Sequence, residues 1–126
     1  MIELKYGLLC DEVRREDNGK LFFIGAYGPS ILVAAFPATL VLSLVLAVDV
    51  DGPCESTLEF IISLNGTEYR KGKGALLLGT KGRNMAIIGG IPLEGLGGPG
   101  ALTFQVKIGE GSWQTALEIA LDLKPS

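Results

Sequence analysis

The strongest constraint on this chain is an alternation of apolar and polar side chains that recurs along most of its length. Every second side chain is apolar in two long runs, formed by Leu58, Phe60, Ile62 and Leu64 and by Leu102, Phe104, Val106 and Ile108. Successive side chains of a β-strand point to opposite faces, so such runs predict strands with one face in a core. We predict an all-β fold, an antiparallel β-sandwich of about eight strands. Because 126 residues is the size of one ordinary domain, residues 1–126 are expected to form a single domain.

Two short turn sequences predict which strands are joined directly. Asn65-Gly66 readily adopts the positive φ angles of a two-residue hairpin, and it follows the strand that ends at Leu64. Residues 17–20 contain the same Asn-Gly pair and connect a strand ending near Arg15 to residues 21–24. We therefore expect a β-hairpin at each position.

Residues 31–48 carry no charge and are long enough to raise the question of a membrane span. Pro37, Thr39 and Ser43 interrupt the run, and no basic flank sets an orientation. The segment from residue 39 to residue 50 instead resembles a strand buried on both faces. We predict no membrane span, and we expect the mean hydropathy of +0.39 to reflect surface hidden in a homo-oligomer.

Residues 113–123 fit two patterns. Leu117, Ile119 and Leu121 alternate as in a strand, whereas Glu118 and Asp122 belong to a polar stripe with helical spacing. The glycines of residues 109–111 are typical of a hairpin turn, and they favour the strand, with a helix as the alternative.

The chain has no histidine, which removes the commonest general base, the Ser–His and Cys–His nucleophile pairs and all histidine metal sites. No spacing indicates a Ser–Lys or carboxylate-pair mechanism in its place. Asp49 and Asp51 offer carboxylates at one strand end, but calcium needs about six to eight oxygen ligands. We predict a protein without enzymatic activity, cofactor or bound metal.

The compartment is predicted from the cysteines and the first residues. Residues 1–7 lack the basic start and the long apolar run of a signal peptide. Cys10 and Cys54 can pair, but two cysteines do not make a disulfide framework, and Cys10 beside Leu9 fits a buried small hydrophobe. A cytoplasmic location is expected.

Residues 95–100 match the letters of the dinucleotide-binding pattern G-x-G-x-x-G. That pattern binds a pyrophosphate only where it opens a helix, and here it precedes the alternating run that begins at Ala101. We expect a loop between strands and no dinucleotide.

The segment from residue 70 to residue 83 concentrates positive charge among glycines. Its basic residues are Arg70, Lys71, Lys73, Lys81 and Arg83. Backbone amides and these cations can hold a small anion such as a nucleotide. The interpretation that we favour requires no ligand: the segment is a solvated strand edge whose lysines block edge-to-edge pairing. A third is contact with the acidic residues 49–59 of another subunit. The net charge of -3 argues against nucleic-acid binding.

A resemblance covers about half of the chain, from Leu4 to about Gly66. The residues that carry it are Leu9-Cys10-Asp11, Asn18-Gly19-Lys20-Leu21, Ile24-Gly25-Ala26-Tyr27-Gly28, Phe36-Pro37 and Leu64-Asn65-Gly66. In these residues the chain resembles a family of small uncharacterised proteins from bacteria and their phages. The resemblance implies a β-sandwich without assigned activity, a bacterial or phage origin, and a host cytoplasm if the protein is encoded by a phage.

Together these observations favour a non-enzymatic binding or interaction protein with a protein partner. The resemblance alone suggests a role in bacterium–phage conflict. Two alternatives stay open: a nucleotide binder that uses the basic segment, and a structural assembly subunit such as one of a phage particle.

Overall fold

The computed structural model describes residues 2–17 and 20–125, and the described residues form strands and turns without a helix. The strands are β1 (Ile2–Cys10), β2 (Glu12–Arg15), β3 (Leu21–Ile24), β4 (Ser30–Val33), β5 (Ala38–Val50), β6 (Cys54–Leu64), β7 (Thr67–Leu78), β8 (Gly82–Leu96), β9 (Gly100–Ile108) and β10 (Gln114–Leu123). The all-β prediction is confirmed, but the count of about eight was too low. Asp11 alone separates β1 from β2, and β4 overlaps the start of the uncharged run 31–48, so the sequence pattern marks neither break.

These strands form two larger sheets and one hairpin. The narrow sheet has the order β1-β5-β8, the wide sheet has the order β4-β10-β9-β6-β7, and β2 pairs with β3. All pairings are antiparallel except that of β4 with β10, which is parallel. A purely antiparallel arrangement was therefore a wrong expectation at this one place. Parallel neighbours need a long connection, and β4 and β10 lie near opposite ends of the chain, where local patterns do not reveal pairing.

A single cluster of buried side chains joins the two larger sheets. It includes Leu44 and Leu46 of the narrow sheet and Ile62, Leu102 and Phe104 of the wide sheet, all with no exposed surface. Alternation places Ile62, Leu102 and Phe104 on the inner face of their strands, as predicted. The two sheets are therefore held to each other by apolar contact.

β5 is the most deeply buried strand. Its inner face lies in the shared core, and Val45 and Ala47 on its outer face are also completely buried. Val45 pairs with Leu8 of β1 and Ile87 of β8, so neighbouring apolar side chains flank it on both sides. The prediction of a strand buried on both faces is confirmed. Across the described residues, no helix has the length and apolarity needed to cross a membrane.

The predicted Asn65-Gly66 hairpin is confirmed. Leu64 pairs with Thr67, and the two turn residues have φ angles of 50° and 84°. The Asn65 side chain also accepts a hydrogen bond from the Ala101 backbone N–H at 3.0 Å, which ties this turn to the start of β9. Of the glycine-rich pattern at residues 95–100, only residues 97–99 form the expected connection between strands, because its first two residues end β8 and its last begins β9.

Two other strand predictions are tested by the pairing. β2 and β3 pair from Glu12 with Ile24 to Arg15 with Leu21, which confirms the strands of the second hairpin. Its turn residues Asn18 and Gly19 lie outside the described residues. Residues 114–123 form a strand and not a helix, as favoured.

Asp11 anchors the β2–β3 hairpin to the narrow sheet. Its backbone N–H donates to the carbonyl oxygens of Ile24 and Gly25 at 3.0 and 3.2 Å. The Tyr27 hydroxyl donates to Asp11 Oδ1 at 2.6 Å, and the Ser43 hydroxyl donates to the Asp11 carbonyl at 3.4 Å. Burial and the nearby Asp11 carboxylate raise the pKa of Tyr27 to about 12. Asp11 therefore holds one end of the hairpin in place.

The two cysteines do not pair in this structure. Cys10 is buried and Cys54 is half-buried, and both are free thiols. The Cys10 thiol donates to the Ser43 carbonyl oxygen at 3.8 Å, and burial raises its pKa. Cys10 is thus a buried small residue, as its apolar neighbours predicted.

Candidate functional site

The basic segment does not stay together in the folded chain. Arg70, Lys71 and Lys73 lie on β7, Lys81 lies in the turn that follows, and Arg83 lies on β8. β7 is the last strand of the wide sheet, whereas β8 is the last strand of the narrow sheet. The chain therefore crosses between the two sheets in the middle of the predicted site. Of these five residues, Lys71 and Lys73 line one cavity together.

Arg83 is committed to other partners on the outer face of the narrow sheet. Its Nε donates to Asp49 Oδ1 at 2.5 Å, and its guanidinium lies 5.6 Å from the centre of the Tyr6 ring. The hydrogen bond between Arg83 and Asp49 lowers the pKa of Asp49 and raises the pKa of Arg83. An ion pair of this kind leaves Arg83 poorly placed to bind an added anion together with the lysines of β7.

The opposed charge patches meet in part within one chain. Asp49 binds Arg83, and Glu59 lies 3.9 Å from Lys107 and directly across the ladder from Lys73. Two of the acids that the third interpretation placed against another subunit thus have basic neighbours on their own sheets. No group of three or more acidic or cysteine side chains is poised to hold a metal ion within residues 2–17 and 20–125.

A groove of about 580 Å³ opens between β7 and β8, where the two larger sheets end side by side. Its apolar lining includes Phe60, Leu77 and Ile87, and Leu77 is 70% exposed although it is large and apolar. Arg15 of the hairpin and Lys73 are the charged residues in the lining, and both are basic. This groove combines an apolar floor with a positive rim.

Gly72 leaves room for the Phe60 ring, which lines this groove. It lies directly across the ladder from Phe60, and a Cβ atom at position 72 would lie 2.5 Å from Phe60 Cε1. That spacing is well inside van der Waals contact, so the ring packs against the bare backbone of β7 only because residue 72 is glycine. The half-buried Phe60 ring consequently forms part of the groove floor.

A second cavity, of about 470 Å³, is lined by Trp113, Ile61, Lys71, Lys73, Glu59 and Glu68, with Phe60 and Gly72. Trp113 lies in the turn between β9 and β10 and is 41% exposed. Lys71 and Lys73 are two positions apart on β7, so both side chains project from the same face of the strand. We call this the Trp113 cavity; it shares Phe60 and Lys73 with the groove.

Sequence reasoning missed Trp113, Phe60 and Arg15 as site residues. Trp113 carried a usable signal, because the only tryptophan of the chain stands in a turn beside Gly111 and Ser112 and not in an alternating run. A large aromatic residue in such a turn is a candidate for an exposed contact. Phe60 and Arg15 carried no such signal, because both sit in ordinary strand patterns.

No known protein-family model matches the chain, and no curated protein is detectably similar to it in sequence. The chemistry of the groove and of the Trp113 cavity is therefore inferred from their own residues. The described residues show two adjacent concave surfaces on either side of β7, one apolar with a basic rim and the other aromatic with mixed charge.

Proposed function

We propose that this chain is a non-enzymatic protein-binding module whose narrow and wide sheets form a β-sandwich, and that the β7–β8 groove is its contact surface. The observation that carries the proposal is the combination of open strand edges, the exposed Leu77 and Ile87 side chains and a rim whose charged residues, Arg15 and Lys73, are both basic. The bacterial or phage setting and the role in conflict come from the resemblance of residues 4–66.

The partner surface that fits this groove is an extended acidic segment. β7 and β8 are the terminal strands of their sheets, so each offers backbone N–H and C=O groups along one edge. An added strand satisfies such groups, and its alternate side chains enter the neighbouring pockets. Apolar side chains would contact Leu77 and Ile87, and carboxylates would meet Arg15 and Lys73.

A second copy of the chain fits this edge poorly. If β7 paired antiparallel with its own copy around Gly72, Lys71 would lie directly opposite Lys73 in both halves of the pair. Like charges directly opposite each other destabilise a strand pair. In this register the two lysines therefore disfavour pairing of β7 with its own copy and favour pairing with an acidic strand. Homo-oligomer formation, which the mean hydropathy predicts, is a separate proposal and is measured by light scattering.

The test uses a fluorescently labelled synthetic peptide of alternating glutamate and valine, with a lysine–valine peptide as its charge control. We expect saturable anisotropy for the acidic peptide, slower hydrogen exchange at the amides of β7, and weaker binding at high salt. Leu77→Ser should weaken binding by about tenfold, the equivalent of about 1.4 kcal/mol.

Leu123→Ser is the matched control, because Leu123 is also an exposed leucine at 47% but does not line the groove. Equal binding of both peptides, or equal binding by Leu77→Ser and wild type, would contradict the proposal. Slower hydrogen exchange in strands other than β7 and β8 would place the contact surface elsewhere, and it would contradict the proposal as well.

A further inference from the structure

We infer that the Trp113 cavity binds a nucleotide, with the base stacked on the Trp113 indole and the phosphate held by Lys71 and Lys73. This inference does not depend on the β7–β8 groove as a peptide site. It revises the nucleotide alternative, because the basic residues are now two and not five, and because an aromatic surface joins them.

The indole supplies a stacking surface. Trp113 keeps 41% of its surface exposed although it is the largest apolar side chain available to the core. The cavity beside it is about 470 Å³, within the range of about 300–1,000 Å³ that small-molecule sites occupy. Aromatic side chains bind bases through their faces without a requirement for sequence or hydrogen-bonding pattern.

The lysines supply the anion-binding part. Lys71 and Lys73 project from one face of β7, about 7 Å apart along the strand, and both line the cavity with Trp113. Gly72 between them places no side chain against the backbone. Two ammonium groups at this spacing can contact a single phosphate or the two phosphates of a diphosphate. The base and the phosphate of one molecule thus find their partners in one cavity.

The acids in the lining distinguish a nucleotide from a simple anion. Glu59 lies near Lys107 and across from Lys73, so its charge is shared among basic neighbours. Glu68 lines the cavity on the same strand as Lys71. A carboxylate there accepts hydrogen bonds from ribose hydroxyls or an exocyclic amine and repels a bare phosphate. The mixed lining therefore fits a ligand that has donors as well as an anionic group.

The other basic residues of the predicted segment do not take part. Arg83 is paired with Asp49 on the narrow sheet. Arg70 lies on β7 between the positions that face the cavity, and neither it nor Lys81 lines the cavity. These two residues provide a charge-matched control for the lysine pair.

Intrinsic fluorescence tests the inference directly, because Trp113 is the only tryptophan in the chain. The probes are ADP, GDP, adenosine and inorganic phosphate, each titrated into the full chain to about 5 mM. We expect saturable quenching of the Trp113 fluorescence by ADP and GDP. Adenosine should bind with at least tenfold lower affinity, and phosphate alone should leave the fluorescence unchanged.

The double variant Lys71→Ala/Lys73→Ala should lose at least tenfold in affinity for ADP, whereas Arg70→Ala/Lys81→Ala should bind as wild type does. A thermal shift with ADP should disappear in Trp113→Ala and persist in Leu77→Ser, so that failure of this site is distinguishable from failure of the groove. Circular dichroism confirms that each variant is folded before its affinity is compared.

Several results would overturn the inference. Absence of saturable quenching would exclude the site, and equal losses in the two double variants would reduce it to general charge attraction. Binding of phosphate as tight as that of ADP would make it an anion site without stacking. Tighter binding of a single-stranded oligonucleotide than of any mononucleotide would assign the cavity to a nucleic acid.

Discussion

The narrow and wide sheets differ at the centre of their outer faces. On the narrow sheet the central strand is buried on this face as well, at Val45 and Ala47, and Tyr6 and Ile87 beside them remain partly exposed and apolar. On the wide sheet the equivalent face carries Glu59, Lys73, Lys107 and Gln105. The centre of the narrow sheet therefore contributes to packing on both faces, whereas the centre of the wide sheet carries polar and charged side chains on its outer face.

The largest expected difference in stability is between two variants that each place a lysine at the centre of one outer face. Val45→Lys buries an unpaired ammonium group among apolar neighbours. It should destabilise the protein by about 3–5 kcal/mol or prevent folding. Gln105→Lys on the central part of the wide sheet should cost less than about 1 kcal/mol, since the side chain reaches solvent. Urea unfolding followed by circular dichroism measures both. Equal stabilities would contradict the contrast between the sheets.

An intermediate effect is expected at the edge of the wide sheet. Gly72→Ala introduces a methyl group against the Phe60 ring and should cost about 1–3 kcal/mol. Gly74→Ala on the same strand meets no atom within 4 Å, so it should be neutral or stabilising by up to about 1 kcal/mol. Urea unfolding of the two variants gives the difference, and Phe60→Leu combined with Gly72→Ala should recover part of the loss. A Gly72→Ala protein as stable as Gly74→Ala would show that Phe60 does not pack on the strand.

The smallest effect is expected where the hairpin meets the narrow sheet. Because the pKa of Tyr27 is raised from 10.0 to about 12, the folded state favours the protonated hydroxyl. Its contribution is complete below pH 10 and is lost as the pH rises towards 12. Tyr27→Phe should cost about 1 kcal/mol at neutral pH and should lack this alkaline loss. Denaturant unfolding between pH 8 and about 12 measures both proteins, and parallel pH profiles would contradict the role of the Tyr27–Asp11 hydrogen bond.

Alternation predicts much of this fold because several strands have one buried face. It assigns residues 58–64, 102–108 and 114–123 correctly, and Asn65-Gly66 adopts the predicted turn. It does not reveal the break at Asp11 or the parallel pairing of β4 with β10. The first depends on hydrogen bonds from Tyr27 and Ser43, and the second joins strands from distant parts of the chain. Neither cause leaves a local pattern.

The candidate site was less predictable for a related reason. Residues 70–83 are contiguous in sequence, but the turn at residues 79–81 carries them from one sheet to the other. Trp113 is distant in sequence from Lys71, and it reaches the same cavity only because β9 and β6 pair between them in the wide sheet. A charge cluster in the sequence thus marks a strand edge, while the composition of the cavity depends on sheet order.

Two short motifs of the first half of the chain hold it together. Asp11, Gly25 and Tyr27 form the anchor of the hairpin, and a Cβ atom at Gly25 would collide with the Asp11 carboxylate. Asn65 and Gly66 form the turn tied to β9. The groove and the Trp113 cavity are built largely from residues outside these motifs.

Lys73 lines both the groove and the Trp113 cavity. One ammonium group cannot neutralise a carboxylate on one side of β7 and a phosphate on the other with full strength. If both proposed ligands bind, they are expected to be antagonists, and thermodynamic reciprocity requires each to weaken the other by the same factor. A single lysine at a strand edge would in this way let the level of a small metabolite set how firmly a protein partner is held.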